Sequence, residues 1–387
     1  MFKRMIAEKL QQTASSFPAT VLTGPRQSGK TTLLKTLFPK RRYINLENPD
    51  MLLMMKEDPR GILGENGDDW IIDEVQNMPE LLSFIHGMIE DNPRPGRFIL
   101  SGSQNLLLLE AVSETLAGRA AILELLPLSY SEYLTHENFA RLDLWEFLFY
   151  GGYPRPYQEK LDFSQWYSSY IKTYLERDVR RVTKVGDLTK FQLFMRVCAG
   201  RHAQELNLAE MAGSCGITVP TATSWLSVLE ACYIIHKLPP FFQNYNKRIV
   251  KTPKLYFYDS SLVCRLIGLT SPTQLREREF AGPLFEGFII AEYLKMYFAL
   301  GISIPMYFWK QHQGLEIDLL IEIGGRLRAL EMKSSATYDS KYLATLKKWQ
   351  EMTGSTPENC LLIYGGKEKF IQHGMQVCPW NDLSLLN

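Results

Sequence analysis

Gly24-Pro25-Arg26-Gln27-Ser28-Gly29-Lys30-Thr31-Thr32 is the stretch on which the reading of the whole chain turns. A Gly, four free positions, Gly-Lys and then Thr is the spacing of a phosphate-binding loop. Its glycines let the backbone turn tightly so that successive N–H groups face phosphate oxygens, and the helix that follows adds its positive end. On this reading Gly24 through Thr32 cradle a nucleotide's phosphates, with Lys30 reaching the β- and γ-phosphates and Thr31 holding Mg2+. Ala19 to Thr23 is a short apolar, β-branched run suited to a buried strand, and Thr31 to Leu37 is apolar at helical spacing, so the loop has the flanks it needs.

At 387 residues the chain is too long for one ordinary core, which implies roughly two to four domains. A hydrophobic content of 45% with 22% charged residues is that of a soluble globular protein, and a net charge of +1 neither demands nor excludes nucleic acid. The six cysteines, at 198, 215, 232, 264, 360 and 378, form no Cys-x-x-Cys pair, so neither a zinc site nor a disulfide framework is indicated. The first ten residues carry charges and lack a signal-type apolar core, and no apolar run approaches the length of a bilayer span. A cytoplasmic location with no membrane partner is therefore expected.

Beyond the loop, Arg42 to Leu46 reads as a second strand, and Trp70-Ile-Ile-Asp-Glu74 as a third that ends in two carboxylates. In that pattern the first acid, Asp73, orients Mg2+ and the second, Glu74, polarises the attacking water. A fourth strand at Arg97 to Leu100 runs into Ser101-Gly-Ser103-Gln104-Asn105, where Ser103 and Gln104 are candidates to sit between the acids and the γ-phosphate. A helix from Asn105 to Ala117, then Gly118-Arg119, precedes a fifth strand at Ala120 to Leu125.

Together the phosphate loop, Ile-Asp-Glu-Val-Gln, Leu-Ser-Gly-Ser-Gln-Asn and Leu-Ala-Gly-Arg-Ala-Ala-Ile-Leu-Glu-Leu-Leu-Pro-Leu-Ser resemble the AAA+ ATPases. More closely, they resemble a prokaryotic family that joins such a domain to a C-terminal region of unknown function. The resemblance implies ATP and Mg2+ as cofactors. It also gives Arg119 the place from which ring-forming ATPases reach a neighbour's γ-phosphate, and so implies a homo-oligomer; a helix-ending Gly-Arg equally satisfies ordinary capping. The expected class is α/β, with an AAA+ parallel-sheet core at 1–135, a helical lid at 136–180, a winged helix at 181–258, a linker at 259–280 and a mixed-sheet domain at 281–387.

The middle of the chain contains Tyr150-Gly-Gly-Tyr-Pro154, similar to a family motif, and between Lys172 and Arg201 eight Lys and Arg residues against three acids. Asn207 to Gly213 and Val219 to Ala231 read as a helix-turn-helix, and segments at 233–238 and 248–258 as its wing. The second helix has no Lys or Arg, whereas the wing holds Lys237, Lys247, Arg248, Lys251 and Lys254. This favours backbone contacts to nucleic acid, DNA in preference to RNA, over base reading. Thr218, Thr221, Thr223, Ser224 and Trp225 are further candidate contacts, and a winged helix used for packing or protein contacts stays open.

In the C-terminal third a helix from Pro283 to Ala299 carries Glu286, strands at 315–321 and 327–332 carry Asp318 and Glu331, and Lys333 follows. This order resembles the catalytic constellation of PD-(D/E)xK nucleases. The resemblance implies that Glu286, Asp318 and Glu331 converge on Mg2+ or Mn2+ while Lys333 positions the water, with Gln350 on a later helix as an auxiliary. Period-two alternation places Glu331 and Lys333 on one strand face. Glu-x-Lys is also ordinary cross-strand pairing. Two functions follow as expectations: an ATPase that drives conformational change on nucleic acid, in its stronger form coupled to nuclease action, or a nucleotide-gated signalling module with slow turnover and a non-cleaving C-terminal domain.

Overall fold

The computed structural model describes residues 2–64, 68–103, 112, 114–137, 139–175, 187–241, 252–277, 279–311 and 314–383. The N-terminal sheet is built from β1 (Ala19–Thr23), β2 (Arg42–Asn45), β3 (Trp70–Asp73), β4 (Phe98–Ser101) and β5 (Ala120–Glu124), in the spatial order β2-β3-β4-β1-β5. Every pairing is parallel. β1, β3 and β4 are buried along their whole length, as a parallel sheet covered on both faces requires. Alternation sorts their side chains: Val21, Ile72 and Leu100 pack with Leu81, Ile85 and Ile89 of the helix Leu81–Asp91, while Leu22, Ile71, Ile99 and Leu123 face Leu10, Leu33 and Leu34. Since all strands run one way, the loops after β1, β3 and β4 emerge at a single edge, where ligands of such sheets bind.

The segment expected as a lid contains the helices Leu144–Tyr150, Pro154–Gln158 and Phe163–Tyr170. The first begins at a capping box formed by Asp143 and Glu146. Asp259, from later in the chain, is buried beside this segment. Its carboxylate accepts from the N–H of Gly152 at 2.7 Å and the Tyr167 hydroxyl at 3.1 Å, and also caps the helix Ser260–Leu266 through the Ser261 and Leu262 N–H groups.

The helices Leu208–Cys215 and Val219–Ala231 are joined through Gly216, whose φ of 60° gives the turn, and each starts at a side-chain cap, Asn207 or Thr218. A small antiparallel sheet lies beside them, ordered β6 (Gln204–Glu205), β8 (Lys254–Phe257), β7 (Ile235–Leu238). Trp225, a candidate for base stacking, is instead 5% exposed and edge-on to Phe191 and Phe194. It is the largest side chain of an apolar helix face and packs inward. The Tyr233 hydroxyl donates to Glu124 at the end of β5 at 2.7 Å, tying this unit to the N-terminal sheet.

The C-terminal sheet is mixed, in the order β13 (Phe370–Gln372), β14 (Met375–Pro379), β12 (Cys360–Tyr364), β11 (Arg326–Lys333), β10 (Glu316–Ile323), β9 (Met306–Lys310). β9, β10 and β11 are antiparallel, whereas β11, β12 and β14 are parallel. The hairpin between β10 and β11 turns at Gly324 and Gly325, both at positive φ. Leu346 and Trp349 of the helix Ala344–Thr353 cover one face, against Ile317, Leu320 and Leu362. One apolar cluster contains Phe2, Tyr130, Tyr167, Phe194, Leu226, Phe257, Phe285 and Trp380, so the middle and C-terminal parts of the chain share a core, beside the clusters of the N-terminal sheet. All six cysteines are buried and free. Asp259→Ala leaves several buried donors without an acceptor and is expected to lower the unfolding free energy by about 2–4 kcal/mol, read by urea denaturation.

Candidate functional site

The phosphate loop leaves β1 at Gly24, whose φ is 141° and whose missing Cβ would lie 2.2 Å from the Leu125 carbonyl oxygen, so no other residue fits. Gly29, at φ 96°, starts the helix Lys30–Leu37 and brings no capping side chain to its first-turn N–H groups. Lys30 is buried, with Nζ donating to the carbonyls of Gly24 and Pro25 at 2.8 Å each. The ammonium is thus held against the loop it serves.

Asp73 lies at the tip of β3 beneath this loop. Oδ2 accepts from Thr31 Oγ1 at 2.5 Å and from the Tyr43 hydroxyl at 3.0 Å, while Oδ1 accepts from Ser101. Burial, then the neighbouring Asp73 charge, push the Tyr43 phenol well above its ordinary range, so it remains a donor. The donor set suits Mg2+: a hydroxyl oxygen and a carboxylate oxygen, both hard ligands, already meet here. Glu74 adopts a left-handed conformation, φ 56°, where the chain leaves the strand, and its carboxylate accepts from Gln76 and, at 3.2 Å, from Ser103 Oγ.

Arg26, Gln27, Gly29, Lys30, Thr31 and Thr32 line a cleft of about 350 Å³ together with Glu47, Glu74, Pro154, Arg155, Gln158 and Glu159. Arg26 faces Glu47 at 3.8 Å, and Arg155 Nε donates to Glu159 at 3.0 Å. A smaller recess beside it is lined by Phe2, Arg4, Leu33, Leu128, Pro154 and Gln158. Arg4 braces the loop by donating to the Ser28 carbonyl at 2.7 Å and the Leu126 carbonyl at 2.6 Å. Ser101, Glu47, Arg155 and Arg4 escaped the sequence reading; only Ser101, in Leu-Ser-Gly-Ser, had a local signal, a second hydroxyl at the strand end. Gln104 and most of the helix expected from Asn105 lie outside the described residues. Arg119 stands at the start of β5, the end of the sheet away from the loop, and pairs with Glu90, with Nε donating at 2.6 Å. It is therefore no part of the chain's own cleft.

Of the wing's basic residues, Lys247, Arg248 and Lys251 lie outside the described residues, and the other two are engaged internally. Lys237 pairs with Glu230 at 2.7 Å, and Lys254 is buried. The exposed hydroxyls of Thr223 and Ser227 donate to backbone carbonyls one turn back. The face expected to meet phosphates thus has much of its polarity satisfied within the fold.

In the C-terminal sheet Asp318 and Glu331 sit on adjacent antiparallel strands, where Leu319 pairs with Leu330, and Asp318 Oδ2 accepts from the Met332 N–H at 2.8 Å. Lys333 Nζ donates to Glu331 Oε1 at 2.6 Å, as alternation requires, whereas Glu331 Oε2 is buried without a hydrogen-bond partner. Glu286 is turned toward Lys254 Nζ at 3.0 Å and the Tyr256 hydroxyl. Among the described residues no group of three or more His, Cys, Asp or Glu side chains is arranged to hold a metal ion. Each of the three acids is engaged by a donor from the protein, and Asp318 lies close enough to Glu286 and Glu331 to repel their charge. Burial, then repulsion from Asp318, push Glu286 up to about 7 and Glu331 up to about 8. Gln350, the expected auxiliary, lies beside Cys360, and its Nε2 is buried without a hydrogen-bond partner.

Over 340 residues the chain is 30% identical to Uncharacterized protein Rv2008c of Mycobacterium tuberculosis, an alignment that covers 87% of this chain and 74% of that protein. Uncharacterized protein Mb2031c of Mycobacterium bovis matches with the same figures. The chain belongs to their family. Within it, residues 16–134 match an AAA domain, residues 141–273 a Domain of unknown function (DUF8612) and residues 281–383 a Domain of unknown function (DUF4143). Among solved structures, the Walker-type ATPase paby2304 of Pyrococcus abyssi aligns with a TM-score of 0.48 at 16% identity, covering 69% of this chain and 96% of that one. The family's AAA domain is a nucleotide-binding, ATPase-type fold, and the residues that match it include the Gly24–Thr32 stretch. Among the described residues no helix is long and apolar enough to cross a membrane.

Carboxyls whose folded pKa is raised contribute stability that is present below the ordinary carboxylate range and lost as pH rises through the folded values, here about 7 and about 8. The urea midpoint is accordingly expected to fall between pH 6 and pH 9, and Glu331→Gln to flatten that fall; equal slopes in the two proteins contradict this assignment.

Proposed function

We propose that this protein is an ATPase that binds ATP with Mg2+ in the Gly24–Thr32 cleft and hydrolyses it. The observation that carries the reading is the meeting of Thr31 and Asp73 at 2.5 Å directly beneath the loop, with Glu74 lining the same cleft. Lys30 is placed to exchange its carbonyl partners for phosphate oxygens, and the open N–H groups of the following helix receive the same charge. Bound Mg2+ would neutralise charge that develops on the phosphates, with Thr31 and Asp73 as its protein contacts. Glu74 accepts the proton of the attacking water, and Ser103 and Gln76 keep its carboxylate oriented. The cleft of about 350 Å³ beside the loop is the space of a size to take the nucleotide. A glutamate held in the cleft favours turnover over a nucleotide-gated switch that merely retains ATP.

The work done with this energy is read from the links that leave the cleft. Asp259 holds Gly152 at the root of the helix that bears Arg155, and Tyr233 holds Glu124 beside the loop, so changes at the nucleotide reach the helix pair and its small sheet. A winged helix is the reading those elements support. Nucleic acid, DNA before RNA, is proposed as its object through exposed residues such as Lys190 and Arg196. Arg119, away from its own cleft, is proposed to serve a neighbouring subunit of a homo-oligomer.

One observation favours a second activity. Glu331 Oε2 is a buried carboxylate oxygen without a partner, on a pair of adjacent inner strands that also present Asp318 and Lys333, which supports metal-dependent phosphodiester cleavage of the PD-(D/E)xK kind.

Glu74→Gln is expected to lower ATP turnover by about 10²–10⁴-fold while ATP binding persists, measured as phosphate release alongside nucleotide titration. Turnover at the wild-type rate would remove Glu74 from the reaction. Asp318→Ala and Lys333→Ala should each abolish Mn2+-dependent nicking of plasmid DNA with ATPase activity unchanged; nicking that survives both substitutions does not come from this site. Addition of DNA should stimulate turnover with a steep salt dependence, and no change at low salt counts against nucleic acid as the object.

A further inference from the structure

Lys254 is in an unusual position for a wing residue. It lies on β8, in the small sheet, yet its side chain leaves that sheet and enters the C-terminal acid cluster. There Nζ donates to Glu286 Oε1 at 3.0 Å, pairs with Glu316, and lies 5.4 Å from the centre of the Phe308 ring. The residue is 4% exposed. An ammonium so buried persists because several acids surround it: Glu286, Glu316 and Asp318 together hold its proton more firmly than in water, against the opposing effect of burial.

The cluster comprises Glu286, Glu316, Asp318 and Glu331, faced by the lysines Lys254, Lys333 and the half-exposed Lys310, which reaches Glu316 at 3.4 Å. Lys333 is committed to Glu331 Oε1, and the other oxygen of that carboxylate is buried and without a partner. The site thus keeps a buried carboxylate oxygen unfilled even with Lys254 in place. Without the Lys254 ammonium, Glu286 and Glu316 lose a donor at this depth, and a proton or a small cation can take its place.

We propose that Lys254 is an internal counter-ion that excludes a divalent cation from the C-terminal acids, and that its withdrawal opens Glu286, Asp318 and Glu331 to Mg2+ or Mn2+. The proposal rests on reading these acids as a cation site. It accounts for the pairing of Glu286 with a lysine of the wing strand although Asp318 stands nearby. It also gives the gate a handle: β8 ends two residues before Asp259, whose carboxylate grips Gly152 beside the nucleotide cleft. A movement of the cleft-lining helix pulls on the strand that carries the plug.

The test is a calorimetric titration of MnCl2 into the nucleotide-free full-length chain, comparing wild type, Lys254→Met, Lys254→Arg and the double variant Lys254→Met/Asp318→Asn. Lys254→Met is expected to bind Mn2+ at least about tenfold more tightly than wild type. Lys254→Arg, which keeps the charge, should bind as wild type does, and the double variant should lose the gain. Should the methionine variant fail to fold, as circular dichroism reports, Lys254→Gln replaces it. If wild type already binds Mn2+ as tightly as Lys254→Met, in a manner that Asp318→Asn abolishes, the gate is overturned while the cation site stands. If no variant shows binding that depends on Asp318, the cation-site reading falls and the proposal with it.

Discussion

The carboxylate of Asp73 is the point on which the nucleotide end of the molecule depends. It is borne by β3 and accepts from Thr31 in the helix after β1, from Tyr43 on β2 and from Ser101 on β4. A single buried acid therefore gathers three neighbouring strands and the helix after β1, and fixes the loop above them. Such a group is stable only with its acceptor sites filled. The hydroxyls that fill them are also those that a metal and its waters would replace, so the interactions that hold the sheet edge together are the ones that prepare it for phosphate.

What was legible in the sequence was what is local. Gly24 and Gly29 announce the loop because their conformations are demanded within a few residues, and Asp73 and Glu74 stand out at the end of an apolar run. Ser101 and Ser103 divide the role expected of one polar residue, the first holding Asp73 and the second Glu74. Arg155 and Glu47 gave no such signal, since they meet the loop only through folding of distant segments. Trp225 and Lys254 show the reverse error: side-chain type suggested nucleic-acid contacts, but tertiary packing turned both inward. In the C-terminal third the order of acids on helix, strand and strand could be read, whereas the orientation of Glu286 toward Lys254 could not, because it is set by a strand from another part of the chain.

The apolar cluster that runs from Phe2 to Trp380 has mechanical meaning. Densely packed interiors shift between discrete arrangements rather than deforming smoothly. Polar fasteners at its margins, Asp259 to Gly152 and Tyr233 to Glu124, lie where the shared core meets the nucleotide end. The same body includes the small sheet and the long helix Ala281–Ala299.

The six buried cysteines have a practical corollary. Burial raises the thiols of Cys198, Cys215, Cys264, Cys360 and Cys378 above their ordinary range, so the reactive thiolate is scarce as well as sheltered. The native chain is thus nearly silent toward maleimides. A cysteine placed on its surface becomes an address for a dye or a spin label without the deletion of any natural one, and distances between the nucleotide cleft and the C-terminal acids become measurable in otherwise unaltered protein.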